Sequence, residues 1–350
     1  MHGTIAIPVS FDGTGMHGRP RVVGGARMAA FDEARGRGDG MTGTGARAVL
    51  FDRYGGRDVL YVADVPMPTP AADEVVVAVK AAGINPGEAT IRSGALKDRF
   101  PATFPSGEGS DLAGIVVAVG DAVEGFAVDD AVLGFSWRRS SHATHVAVPV
   151  SQLIHKPPEL TWEVAGSLYV VGCTAYAAVR AVDPKAGETV AVSAAAGGVG
   201  TVVVQLLSLR KAIVLGIASP SNAGWLQSHG AVQVSYGEGL TARLQAATPH
   251  AINAFIDLFG PEYVQLAVDL GIPRDRIETI ASFEKAQELG VKADGSGTAS
   301  TPAVLTEMAD LVASGAIEIP IAATYPLDRV VDAFEELEHR HTRGKIVLIP

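Results

Sequence analysis

One cysteine, Cys173, stands in the whole chain, so no internal disulfide can form and a zinc cage of several closely spaced thiolates is excluded. Basic charge is short as well. With 28 lysines and arginines against 38 acidic residues the formal charge is −10, which offers no electropositive field to a nucleic acid. The one dense basic pair, Arg138 and Arg139, is too small to serve as such a field. No apolar stretch reaches the roughly 18 residues of a membrane helix, and the opening MHGTIAIPVSFDG has neither a basic n-region nor an apolar h-region of signal length. The chain is therefore expected to stay in the cytoplasm, with neither a membrane nor a nucleic acid as partner. What it has in quantity is apolar content, 47% of 350 residues, enough for two buried cores and hence two domains.

Residues 1–44 lack a sustained apolar period, are rich in Gly, Arg and Met, and end in GRGDGMTGTG. They are expected to form a disordered extension. Asp32, Glu33 and Asp39 argue against a transit peptide, and Met28 and Met41 are alternative starts. From Ala46 to about Glu163, short β-rich runs are broken by Gly and Pro, as in an antiparallel, barrel-like domain. Beyond Thr161 the pattern changes to a long apolar helix pair or bent helix in WEVAGSLYVVGCTAYAAVRAV, and then strands alternate with helices, which predicts a doubly wound parallel sheet. The closing stretch returns to strand, amphipathic helix (Val330, Val331, Phe334 and Leu337 on one face) and strand, and is expected to rejoin the first domain.

Residues 188–219 carry the most chemistry. Thr189 to Ala194 is a continuous apolar run, as in a parallel strand covered on both faces, and an apolar helix starts near Val199. Between them AAGGVG fits G-x-G-x-x-G with Ala195, Gly197 and Gly200 in the three places, only the first glycine being replaced. Gly197 admits a pyrophosphate to the backbone, Gly200 lets helix and strand pack closely, and the helix N-terminus supplies free N–H groups and partial positive charge. A dinucleotide is the expected ligand.

The acidic residue that binds the adenosine ribose in an NAD-preferring unit, about 20 residues on, is missing. Ser219, Pro220, Ser221 and Asn222 follow the second strand instead. Hydroxyls and an amide can donate to a 2′-phosphate that a carboxylate would repel, so NADPH is the expected cofactor. Ser219 and Asn222 could equally do no more than cap the next helix.

AAGINPGEATIRSGAL (81–96), GSDLAGIVVAVGDAVEGFAVDDAVLGF (109–135), GCTAY (172–176), SAAAGGVG (193–200) and RHTRGKIVLIP (340–350) resemble the quinone oxidoreductase, zeta-crystallin-like branch of the medium-chain dehydrogenase/reductase superfamily. The resemblance spans about Ala46 to Pro350. It implies an α/β protein with a GroES-like, mostly antiparallel β catalytic domain (45–165 and 317–350), a doubly wound Rossmann domain (166–316), and a homodimer through the outer edge of the Rossmann sheet. It also places Asn85 at the nicotinamide and the substrate oxygen, Thr174 near the nicotinamide ribose or pyrophosphate, and Gly197, Gly198 and Val199 along the pyrophosphate. Tyr236, at the end of the third strand, and Arg340 match positions that approach the 2′-phosphate. On their own terms, Tyr236 could be an ordinary strand-end aromatic and Arg340 a solvated helix end.

Zinc-dependent relatives place cysteine and histidine where this chain has Asn85 and Ser110, so no zinc site is expected. His142 and His145, in SSHATH, read as loop histidines on the surface. Where many relatives have aspartate and tyrosine, Glu88 and Thr90 stand. A tyrosine proton donor is thereby excluded, and Glu88 is either a buried structural carboxylate or a donor. The reaction expected is hydride transfer from NADPH to a quinone or an α,β-unsaturated carbonyl, with Asn85 orienting the carbonyl oxygen. The alternatives are an enoyl reductase tailoring one natural-product intermediate and a non-catalytic NADPH-binding protein like the lens crystallins. PEYVQLAVDLGIPRDRIETIA lacks the usual glycine-rich entry to a fifth strand, which leaves the pocket near Ile280 to Ser282 undefined.

Overall fold

A computed structural model describes residues Gly45–Pro350; the expectations for residues 1–44 lie outside them. The alternation after Thr161 becomes a five-stranded parallel sheet. Its strands run in the order Ala231–Val234, Ile213–Ile217, Thr189–Val192, Ile252–Asp257, Ile277–Thr279. The chain winds outward from Thr189–Val192 in one direction and then, with Ile252–Asp257, in the other. This reversal opens a crevice at the carboxyl ends of the two central strands, where doubly wound sheets take their ligands. The fifth strand forms despite its unusual entry: helix Pro261–Asp269 leads through Gly271 to Ile277–Thr279, three fully buried residues. The third strand stops at Val234, so Tyr236 lies two residues beyond it rather than at its end.

The helical stretch is a pair, Trp162–Ala165 and Leu168–Val182. The break at Gly166 has a steric cause, since a Cβ there would lie 2.3 Å from the Ala81 carbonyl oxygen. The longer helix packs on helices Gly198–Leu209 and Pro302–Ala313 and ends at Asp183, which is left-handed, before Pro184.

The short runs before residue 156 form two antiparallel systems. A three-stranded sheet orders Tyr61–Val65, Ala46–Phe51 and Ser106–Gly107; a larger one is built around Glu74–Gly83, which pairs with Asp111–Val119, His145–Pro149 and Lys345–Ile349. The closing segment does rejoin this part of the fold, with Ile321–Pro326 and Lys345–Ile349 lying parallel and helix Val330–Glu338 crossing between them. Val330 and Phe334 are buried against Val49, Phe51 and Ile346, with Val331 and Leu337 packed at the margin. At about 25 cal/mol per Å² this apolar stripe is what fixes the helix, since its other face is charged.

Candidate active site

The turn between Thr189–Val192 and helix Gly198–Leu209 is made of small residues, Ser193, Ala194, Ala195, Ala196 and Gly197. Gly197 is the residue before the first helical turn, and a Cβ on it would meet only the Ala194 carbonyl oxygen, at 3.3 Å. A Cβ on Gly200 would fall 2.2 Å from that oxygen and 2.8 Å from the Ala195 backbone, so helix and strand can approach only because Gly200 has none. Ala195 is fully buried and donates its N–H to Ile217 O at 3.1 Å, which closes the turn onto the neighbouring strand. The first N–H groups of the 12-residue helix have no carbonyl a turn earlier to bond. The cradle therefore fits the pyrophosphate of a dinucleotide, with Gly197, Gly198, Val199 and Gly200 as its wall.

At the far end of the cradle Ser219, Ser221 and Asn222 bond to one another: Ser219 Oγ lies 2.7 Å from Ser221 Oγ, and Asn222 Nδ2 donates to Ser219 Oγ at 3.1 Å. Neither Ser219 nor Asn222 caps the following helix through its side chain. Across the sheet Asp257 gathers the carboxyl ends of three strands. It accepts from the Ser193 and Thr279 hydroxyls, both at 2.7 Å, and from the N–H groups of Phe259 and Gly260. That loop presents Phe259, on whose ring the Arg340 guanidinium rests at 5.1 Å. Tyr236 is half exposed. Tyr263, whose hydroxyl is pushed up in pKa by burial, stands edge-on to Phe259.

A second buried polar cluster forms around Asn85. Asn85 precedes helix Pro86–Arg92 and is 5% exposed. Its side-chain NH2 donates to Glu88 Oε1 at 3.1 Å and to Asp111 Oδ2 at 2.9 Å, and its Oδ1 accepts from Lys345 Nζ at 2.6 Å. The Lys345 ammonium also donates to Ile84 O at 3.0 Å and to Asp111 Oδ2 at 3.3 Å. Asp111 Oδ1 in turn accepts the backbone N–H of Val170, in the first turn of helix Leu168–Val182. Thr174, buried, sits one turn further along that helix. Burial pushes the Asp111 carboxyl up, opposed by Lys345, Asn85 and Val170, and with Asp111 nearby the buried Cys173 thiol rises to about 12.

The expectations for Asn85, His142 and His145 change here, and for Glu88 the first of its two readings fits. Both N–H bonds of the Asn85 amide go to carboxylates, so it has none left to donate to a substrate oxygen; one lone pair on Oδ1 remains. Glu88, the second of the two readings aside, is a structural carboxylate that accepts from Asn85 N at 2.9 Å and Ser110 N at 3.0 Å besides the amide. His142 is not a surface residue. It is wholly buried, with Nε2 bonded to Gly83 O at 3.3 Å and 3.9 Å from Glu88, and burial lowers its pKa so that the ring is neutral. His145 opens strand His145–Pro149, with its Nδ1 on Thr144 Oγ1 at 3.1 Å. The residues joining Asn85 to the rest, Asp111 and Lys345, were missed. Their signal was a lone charge at the head of an otherwise apolar strand, in DLAGIVVAV and KIVLI, which burial obliges to find a partner. Among the described residues, no group of three or more His, Cys, Asp and Glu is placed to hold a metal ion.

Residues 71–183 match the family described as alcohol dehydrogenase GroES-like domain, and residues 230–348 the one described as zinc-binding dehydrogenase. A quinone oxidoreductase of Pseudomonas aeruginosa is 30% identical over 331 residues, covering 87% of this chain and all of that protein. The chloroplast envelope quinone oxidoreductase homolog of Arabidopsis thaliana is 28% identical over 89% of this chain and all of its own length. Among solved structures, the quinone oxidoreductase of Escherichia coli, complexed with NADPH, superposes with a TM-score of 0.78 at 27% identity, over 87% of this chain and all of that one.

Proposed function

The chain belongs to the quinone oxidoreductase relatives within the medium-chain dehydrogenase/reductase superfamily and is an oxidoreductase using a nicotinamide cofactor; from there we propose that it is an NADPH-dependent, zinc-independent reductase of quinones or α,β-unsaturated carbonyls. The observation that carries the cofactor choice is the end of strand Ile213–Ile217, where Ser219, Ser221 and Asn222 stand in place of an acid. Arg340, over the Phe259 ring, and the half-exposed Tyr236 would supply a cation and a hydroxyl for the 2′-phosphate. Zinc independence rests on Asn85 and Ser110, neither of them a ligand for zinc, at the positions where zinc-dependent relatives coordinate the metal.

NADPH held in the cradle would supply the hydride. The chain's part is to bind and orient. The helix N-terminus at Gly198 takes the pyrophosphate, Thr174 offers a hydroxyl near the nicotinamide end, and Asn85 presents an acceptor oxygen beside it. An activated double bond can accept hydride without a Lewis acid because the charge is delocalised over an enolate or hydroquinone anion, whereas a saturated carbonyl would leave it localised on a strongly basic alkoxide. Assembly as a homodimer through the outer edge of the parallel sheet is part of the same reading, and sedimentation checks it.

The test is NADPH consumption, followed by its absorbance, against 1,4-benzoquinone, 9,10-phenanthrenequinone, a cyclic enone, an enal and their saturated counterparts. Turnover confined to the conjugated acceptors is expected. Efficient reduction of a saturated aldehyde, or none of any acceptor, would sink the proposal.

A further inference from the structure

Lys345 spans the site. Its stem lies against the phosphate turn: a Cβ on Gly198 would meet Lys345 Cδ at 3.2 Å, and residues 197 and 344 form a bridge, with Gly344 N donating to Ala196 O at 3.2 Å. Its head, 3% exposed, reaches Asn85 and Asp111 across its own antiparallel sheet. The ammonium has three protons, directed to Ile84 O, Asn85 Oδ1 and Asp111 Oδ2, and no acceptor capacity of its own. An Asn85 amide turned end for end would point its NH2 at the ammonium and its oxygen at two carboxylates. Lys345, Asp111 and Glu88 together therefore permit one orientation only.

We propose that Lys345, held by Asp111, is a positioning residue of the reaction site: it locks the Asn85 amide with its oxygen free to accept, so that Asn85 recognises an N–H or O–H donor on the nicotinamide nucleoside rather than the substrate carbonyl. This rests on the reading that the cradle binds NADPH and that the chain turns over a conjugated acceptor. The lock ties the orientation of Asn85 to the turn that holds the cofactor, because one side chain touches both.

The test separates orientation from stability by balancing the charge. Lys345→Met alone leaves Asp111 buried without its cation and should lower both the melting temperature and kcat. In the double variant Lys345→Met with Asp111→Asn, no charge of the pair remains. Its melting temperature should return to near the wild-type value while kcat with 9,10-phenanthrenequinone stays down by at least about tenfold, with the dissociation constant for NADPH within about threefold. The emission of bound NADPH, which reports the surroundings of the reduced nicotinamide without any acceptor, should differ from wild type. Recovery of kcat and of the emission along with the melting temperature would make the pair merely structural and overturn the proposal. If the wild-type protein binds NADPH but reduces no acceptor, the functional reading fails and the emission still decides this inference. Should the double variant not fold, Asp111→Asn alone carries the comparison: unchanged kcat and emission overturn it.

Discussion

Asp111 and Val170 meet at 2.7 Å, carboxylate oxygen to backbone N–H, so a strand of the antiparallel part caps a helix that packs on the nucleotide-binding part. A carboxylate at a helix N-terminus satisfies an otherwise orphaned N–H and meets the positive end of the helix dipole. The same carboxylate faces Asn85 and Lys345, so one residue joins the polar site to that helix.

The two glycines of the turn should respond differently to alanine. Gly200→Ala puts a methyl 2.2 Å from a backbone oxygen, and we expect a loss of about 3 kcal/mol or more in stability together with loss of NADPH binding. Gly197→Ala meets a single atom, at 3.3 Å, so the melting temperature should hold within about 2 °C while NADPH affinity falls at least about tenfold. Thermal unfolding and fluorescence titration of both variants check this; equal destabilisation of the two would show that the cradle was misread.

Arg340 rests on the Phe259 ring, and under the proposed function its guanidinium is the cation for the 2′-phosphate. Arg340→Ala should weaken NADPH by about tenfold, roughly 1.4 kcal/mol, and leave NADH unchanged. Equal weakening of both cofactors would make the arginine structural.

Glu278 is fully buried in strand Ile277–Thr279; Oε1 accepts the Asp294 N–H at 2.6 Å and Oε2 has no partner. Burial, with Asp294 beside it, pushes its pKa from 4.5 up to about 8. The native state then holds this proton more tightly than the unfolded chain, so the stability it contributes is complete below about 4.5 and is lost as pH rises through about 8. Glu278→Gln removes the titration. Its stability relative to wild type should grow by about 4 kcal/mol between about pH 5 and pH 9, measured by denaturant unfolding at both. A constant difference across that range would refute the assignment.

Dialysis against a strong chelator should leave NADPH oxidation unchanged, because Asn85 and Ser110 offer zinc no ligand pair. Activity lost on dialysis and restored by zinc would reverse the expectation.

The nucleotide cradle was legible in the sequence because its signal is local: an apolar strand, a glycine turn and an apolar helix are adjacent in the chain, and each constrains the next. The polar site was not, because its members stand at positions 85, 111 and 345 and only folding brings them together. Asn85 to Glu88 did carry a local clue, since a carboxylate three residues after an N-cap residue is a helix-start signature that predicts the bond to Asn85 N. His142 was misjudged through its polar neighbours in SSHATH. Its burial comes from strands remote in sequence, notably Gly83 at the end of Glu74–Gly83, and local polarity carries no trace of that.

The bridge at Gly344 also ties the glycine turn to residues far along the chain. A Cβ at that position would fall 2.1 Å from Pro320 O, and the residue after it is the one that reaches Ile84 and Asn85, 261 and 260 positions earlier. A chain that stops short of residue 345 lacks the ammonium that orients Asn85, so the amide at position 85 depends on a residue that stands on the last strand of the fold.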